Sequence, residues 1–398
     1  MAGANLASFD SVLKNDYLGP VREQLNQATE LLRRIGMDYD PVQGKNFTIP
    51  MHYGRNEGIG ARADGGTLMS AGAQAYKEAI VPMRYIYGRI QVNGPTIKAA
   101  RNDAGAFIRA IDSEIKGVTK DLKRDMNRML TNDGTGIISL CGVTSASTTV
   151  VVASAKPFRP GMIVDIIVAL DGSTGTGAVE RTIVSVDKVN DTITISGAAI
   201  TTAATYGVYR TGNRNLEVMG LKGMVSASDI GYGYGTFQNL AVASYPWHAS
   251  TILGNSGTGR AVSDLLIQEM LDEVEQAGDG EVSGLYTSYG VRRAYQALLS
   301  AEKRLVNKYE LRGGYNTISY NDMPIIVDKD MPTGKIFGLD EAAIKMYKMA
   351  DYDWMDEDGA ILSRVSGKDA YEAVLYCYME LGTGARNAHG LLEDLNEA

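Results

Sequence analysis

The chain has 398 residues, 44% of them hydrophobic and 22% charged, with a formal net charge of −8. That length and apolar fraction allow a sizeable core spread over two or three domains, and the acidic balance disfavours a protein that grips nucleic acid through its overall charge. No apolar run reaches the length of a membrane span, and the first residues lack the basic-then-apolar order of a secretory signal.

From Ala7 to Gly36 the apolar residues Val12, Leu18, Val21, Leu25, Leu31, Leu32 and Ile35 predict an amphipathic helical arm, interrupted at Gly19 and Pro20. Asn46–Pro50 and Glu78–Val92 then predict two extended segments. Between them, Gly54–Ala75 is rich in Gly and Ala and almost free of large side chains. It reads as a surface loop with a disordered tip, or as a two-stranded projection that gains order only against a neighbouring molecule.

Pro95 to Asn132 predicts one long helix. Ile97, Ala100, Ala104, Ile108, Ile111, Ile115, Val118, Leu122, Met126 and Met129 recur at steps of three and four, with charged residues between them. Pro95 suits a first turn, Asn132-Asp133-Gly134 supplies a stop, and Gly105 and Gly117 weaken the interior. The composition then shifts. Residues 141–212 are dominated by Thr, Val, Ala, Ser and Gly, alternate in VDIIVAL, RTIVSVDKV and DTITISG, and predict a small all-β module of about five to seven strands.

Beyond Leu216 the pattern returns to mixed α and β. Helices are expected over Thr258–Ala277 and Tyr289–Glu302, and strands at Gly284–Thr287, Thr317–Tyr320, Met323–Val327 and Lys335–Leu339. Ile344–Asp353, Ala360–Val365 and Ala370–Leu381 read as long closing strands.

Signs of catalysis are sparse. Gly254-Asn-Ser-Gly-Thr-Gly259 opens like a phosphate-binding loop, but Arg260 and Ala261 replace the lysine and hydroxyl such a loop needs, leaving a Gly-rich helix entry. His52, His248 and His389 lie outside metal-ligand spacing of one another. Cys141 and Cys377 form no CxxC pair and read as buried thiols in a reducing compartment. The acidic run Asp351–Gly359 lacks the oxygen ligands of a calcium loop and reads as a solvated hairpin turn. No cofactor, metal or catalytic residue is expected. A long rod, a featureless Gly/Ala loop and no catalytic cluster suggest an assembly protein.

The order of elements resembles the major capsid protein of tailed bacteriophages with the Hong Kong 97-like fold. Three stretches carry the resemblance: IYGRIQVNGPTIKAARNDAGAFIRAIDSEIKGVTKDLKRDMNRML, TSYGVRRAYQALL and AYEAVLYCYMELGTGARNAHGLLEDL. It implies an α+β fold with an N-terminal arm (1–45), an extension loop (46–94) and a peripheral domain with its spine helix (95–140 and 340–398). An inserted β domain (141–212) and an axial domain (213–339) complete it. The implied function is a self-assembling shell of hexamers and pentamers, an icosahedral head around double-stranded DNA that is held without sequence-specific binding. Its implied partners are further copies, a portal and separate scaffolding or decoration proteins, with no membrane. The implied location is the virion capsid, assembled in the host bacterial cytoplasm. An encapsulin-type nanocompartment is the alternative within the fold, and a hydrolase with a spatially assembled site the alternative outside it. Arg55, Arg62, Lys77 and Arg84 on the extension loop, and Asp356, Glu357 and Asp358 on the peripheral turn, are the expected contacts between subunits. Lys77 sits in no motif that marks it for the Lys–Asn crosslink some relatives form.

Overall fold

The structure is a computed structural model that describes residues 29–37, 44–95, 104–232, 235–278, 280–301, 308–311, 315–356 and 361–398. Most of the expected N-terminal helix therefore lies outside the described residues; its last turn is Glu30–Arg34.

The spine helix runs from Ala104 to Thr131, 28 residues or about 42 Å at 1.5 Å per residue. The expected start at Pro95 leads into residues 96–103, outside the description. Its last turns bury Leu122, Met126, Met129 and Leu130, while Lys120, Asp121 and Lys123 stay exposed. The helix stops where Asn132 donates to the Ile137 carbonyl and Gly134 takes a φ of +74°, a left-handed angle glycine adopts without strain.

A five-stranded sheet packs against this apolar stripe. Ala370–Thr383 is its central strand, with Arg84–Asn93 on one side and Ile344–Trp354 and Ser363–Arg364 on the other. Gly36–Met37 adds a short parallel strand beyond Ile344–Trp354. Ile86, Leu375, Cys377 and Met379 alternate inward beneath the helix. The expected strand Ala360–Val365 shrinks to Ser363–Arg364. Residue 360 lies outside the description, and Ser363 and Arg364 alone pair as strand, with Val365 N donating to Ala370 O at 2.9 Å where the chain turns.

A seven-stranded sheet follows the order Thr251–Leu253, Gly390–Leu392, Ile336–Leu339, Gly284–Thr287, Met323–Val327, Tyr315–Tyr320, Lys308–Leu311. Adjacent residues of its strands serve two cores. Leu285, Ile325, Ile336 and Leu392 pack under the helices Asp264–Ala277 and Tyr289–Ala301; Tyr286, Ile326, Phe337 and Leu391 join the core of the spine helix. Cover on both faces explains strands such as GLYT that are apolar throughout rather than alternating. The sequence groups residues 340–398 together, but Gly390–Leu392 pairs with this second sheet and the tail leaves the first.

Seven strands fall between Thr144 and Arg210, and Ile137–Leu140 joins them. Six form a sheet ordered 137–140, 206–210, 163–168, 178–187, 192–195, 149–151. Its edges meet: Ala153 donates to Leu140 and Gly142 to Val151, each at 2.8 Å, so the sheet curls closed around Val150, Val164, Ile166, Ile183, Ile193 and Val208. This sheet starts before residue 141, because Ile137–Leu140 is its first strand.

Candidate assembly interface

An arm leaves the body as a two-stranded hairpin, Asn46–Gly54 against Ala75–Pro82, paired from Asn46–Pro82 to Gly54–Ala75. Residues 55–74 at its end form no strand and are mostly exposed. Local bonds shape this loop: Asn56 Oδ1 accepts from Gly58 N at 2.7 Å, and Arg62 donates to Thr67 O at 3.0 Å and Ala61 O at 2.9 Å. Its large apolar residues Ile59 and Leu68 are 78% and 82% exposed.

The base of the arm, by contrast, is clamped to its own chain. Met51 and Ala79 bury against Leu240, and Tyr53 stacks on Trp247 with centroids 5.0 Å apart and planes at 7°. Phe47 stacks on Tyr347 at 4.3 Å, and Lys77 Nζ lies 5.2 Å over the Tyr245 ring. The clamp segment bends through Gln238 and Asn239, both left-handed at φ +51° and +60°, and Gln238 donates to Thr383 O at 2.9 Å. That strain is held by burial of Phe237, Gln238 and Leu240.

The expected contact residues divide accordingly. Arg55 and Arg62 lie on the exposed loop, and Lys77 is exposed beside the clamp. Arg84 is engaged within its own chain. It sits where the arm turns into the sheet, donates to Glu380 Oε2 at 3.2 Å and to Asn215 O at 3.1 Å, and spends its charge within the chain. Glu380 is buried and also accepts from Met219 N at 2.6 Å and Leu381 N at 2.9 Å. Burial pushes its carboxyl up to about 7 against the pull of Arg84 and the two amides. Asp356 is exposed just past Ile344–Trp354, while Glu357 and Asp358 lie outside the described residues. Among the described residues Asp356 forms no ion pair with Arg55 or Arg62.

A tyrosine cluster is the feature the sequence reading missed. Tyr85 and Tyr87, 50% and 53% exposed, stand on the face of the first sheet opposite the spine helix. Tyr378 meets Tyr85 edge-on at 5.0 Å and Tyr376 at 4.9 Å. The period-two tyrosines of YIY and YCY carried that signal.

The other groups singled out in the sequence have structural surroundings. Asp394 Oδ2 accepts from Asn255 N at 2.7 Å and Gly257 N at 2.9 Å, so the chain's own carboxylate fills the Gly-rich loop. His52 bonds Gln74 at 2.7 Å. Burial, with Arg386 adding repulsion, pushes His248 and His389 down to about 3. Burial also pushes both thiols up to about 12, leaving them far from nucleophilic at neutral pH. Among the described residues no three metal-ligating side chains cluster.

The family model described as SU10 major capsid protein matches residues 98–396, most of the chain. The chain belongs to the SU10 major capsid protein family. It is a major capsid protein of the tailed-phage type, a structural component that assembles with copies of itself into an icosahedral shell. No curated protein matches it. The capsid asymmetric unit of cyanophage A-1(L) is similar at a TM-score of 0.63 and 15% identity, covering 98% of this capsid protein and 99% of that chain. The capsid of a native GTA particle is similar at 0.51 and 10% identity, with 99% of each chain covered. An encapsulin complex from Synechococcus elongatus reaches 0.49 at 11% identity, covering 100% of this chain and 97% of that one. The fold is the mixed α/β architecture of Hong Kong 97-like phage capsid proteins.

Proposed function

We propose that this capsid protein tiles as hexamers and pentamers, and that its arm is the element joining neighbours. The reading divides the chain into an N-terminal arm (1–45), an extension loop (46–94) and a peripheral domain built on the spine helix and first sheet. The seven-stranded sheet and its helices form the axial domain, and the curled sheet is an inserted β domain. The shell encloses double-stranded DNA, assembles in the bacterial cytoplasm with a portal and separate scaffolding or decoration proteins, and performs no catalysis.

One observation carries this: an arm clamped at its base presents a loop whose Ile59, Leu68 and Arg55 have no partner of their own among the described residues. The clamp holds the hairpin's strands, but the loop at its end buries little within the chain, so a neighbour's surface is what orders it. The loop's arginines reach the acidic turn at Asp356–Asp358 of the next copy. Each exposed pair contributes about 0.2–1 kcal/mol, repeated around every ring. Arg55→Glu with Arg62→Glu is expected to abolish shells in negative-stain micrographs while leaving far-UV circular dichroism unchanged. Adding Asp356→Lys with Asp358→Lys should partly restore them. Normal shells from the first pair at physiological salt would show that charge does not hold the loop.

A further inference from the structure

The seam between the curled sheet and the spine helix holds a row of charges. Arg128 binds Asp125 at 3.0 Å and Glu217 at 2.6 Å, Arg210 binds the other oxygen of Asp125 at 3.1 Å, and Arg124 binds Asp121 at 3.4 Å. Arg124, Arg128 and Arg210 share Asp121, Asp125 and Glu217, and the neighbouring Asp165 accepts from Thr211 and Gly212. Arg159 is the one left over: no hydrogen bond or ion pair of its side chain occurs among the described residues.

Arg159 and Arg210 line an open cleft of about 490 Å³. Its other polar groups are spent. Thr211 Oγ1 donates to Asp165 at 3.0 Å and Asn213 Nδ2 to Glu217 at 3.1 Å. Gly161 N donates to Ile183 O at 2.8 Å and Met162 N to Arg159 O at 3.4 Å, and Pro160 has no N–H to offer. The cleft therefore keeps the guanidiniums of Arg159 and Arg210, donors that cannot accept a hydrogen bond, and of the two Arg159 has no ion-pair partner among the described residues. Such a pair selects a planar or tetrahedral oxyanion over a neutral ligand. Partial burial and the nearby Arg210 and Arg124 hold Arg159 below the usual arginine value, against the pull of Asp125 and Asp121. A bound anion would relieve that repulsion.

We propose that this cleft binds a phosphate-type oxyanion, with Arg159 as its principal donor and Arg210 as the second. An anion held there ties the curled sheet to the spine helix through their shared charges. The phosphate can be free in solution or part of a nucleic-acid backbone, and the two sources separate experimentally. Isothermal titration of the assembled full chain, at constant ionic strength, uses inorganic phosphate in one arm and a short DNA duplex in the other. Saturable phosphate binding is expected, weakened roughly tenfold or more by Arg159→Gln and less by Arg159→Lys, since one charge-assisted bond is lost or only reshaped. A duplex weakened by the same factor assigns the site to backbone phosphate. Phosphate binding with no effect of Arg159→Gln on the duplex assigns it to the free anion. Absence of saturable phosphate binding, or equal binding by wild type and both variants, overturns the proposal.

Discussion

Glu380, His248 and His389 sit buried within the body of the subunit, and their protonation gives the fold a distinct response to acid. Each histidine is neutral when folded and titrates normally when unfolded, so its contribution is complete above about pH 6.5 and is lost as pH falls toward 3. Glu380 runs the other way. Its folded value near 7 lies above the ordinary 4.5, so the folded state holds a proton the unfolded chain lacks, and stability rises as pH falls between those values. Between pH 6.5 and 4.5 two groups oppose one, for a net loss of about 1.4 kcal/mol per pH unit. Glu380→Gln removes the opposing group, so urea denaturation across that window should show about twice the acid slope. An unchanged slope would mean Glu380 is ionised throughout. None of this was legible in the sequence: Arg84 looks like any arm arginine until the strand register sets it against Glu380, and the histidines acquire their properties only from burial.

At the scale of elements, period was a reliable guide and pairing was not. The spine helix followed from its three-and-four spacing, and the closing strands Ile344–Trp354 and Ala370–Thr383 from their alternation. Short strands such as Thr251–Leu253 and Gly390–Leu392 were missed, because three residues carry no period and their partners are remote in sequence. The helix expected from Thr258 begins at Asp264 instead, where the Ser263 hydroxyl accepts from Leu266 N and caps it. Two glycines separate propensity from packing. Gly117 lies inside the spine helix with open space around it, so Gly117→Ala should stabilise by about 0.5–1 kcal/mol. At Gly220 a Cβ would meet the carbonyl oxygens of Met129 and Asn132 at 2.4 Å, backbone that cannot step aside. Gly220→Ala should cost about 3 kcal/mol, and thermal melting of the two variants should move in opposite directions.

The body of the molecule is built on two sheets that share the core of one helix, with residues 390–398 stitched into the second sheet. Lys335 pairs with Glu393 at 2.8 Å, Leu395 N donates to Gly334 O at 2.9 Å and Arg293 donates to the carbonyl of Ala398 at 2.6 Å. The change of composition after the spine helix located the curled sheet, but its closure rests on the Cys141–Val152 bridge, which no local pattern encodes. Its way in and its way out are neighbours: Leu140 faces Gly207 in an antiparallel pair, so the two crossings lie about 5 Å apart. Replacing residues 141–206 by a short Gly/Ser turn should therefore leave a soluble subunit that still forms particles by light scattering. Insoluble protein would show that the body of the subunit depends on the strands removed. The same adjacency makes the seam a socket. A foreign domain whose own two ends lie side by side could be grafted there without stretching the host chain, and every copy in a particle would carry one. The tolerance of such a graft is set by the spacing of two strands rather than by the size of what is attached.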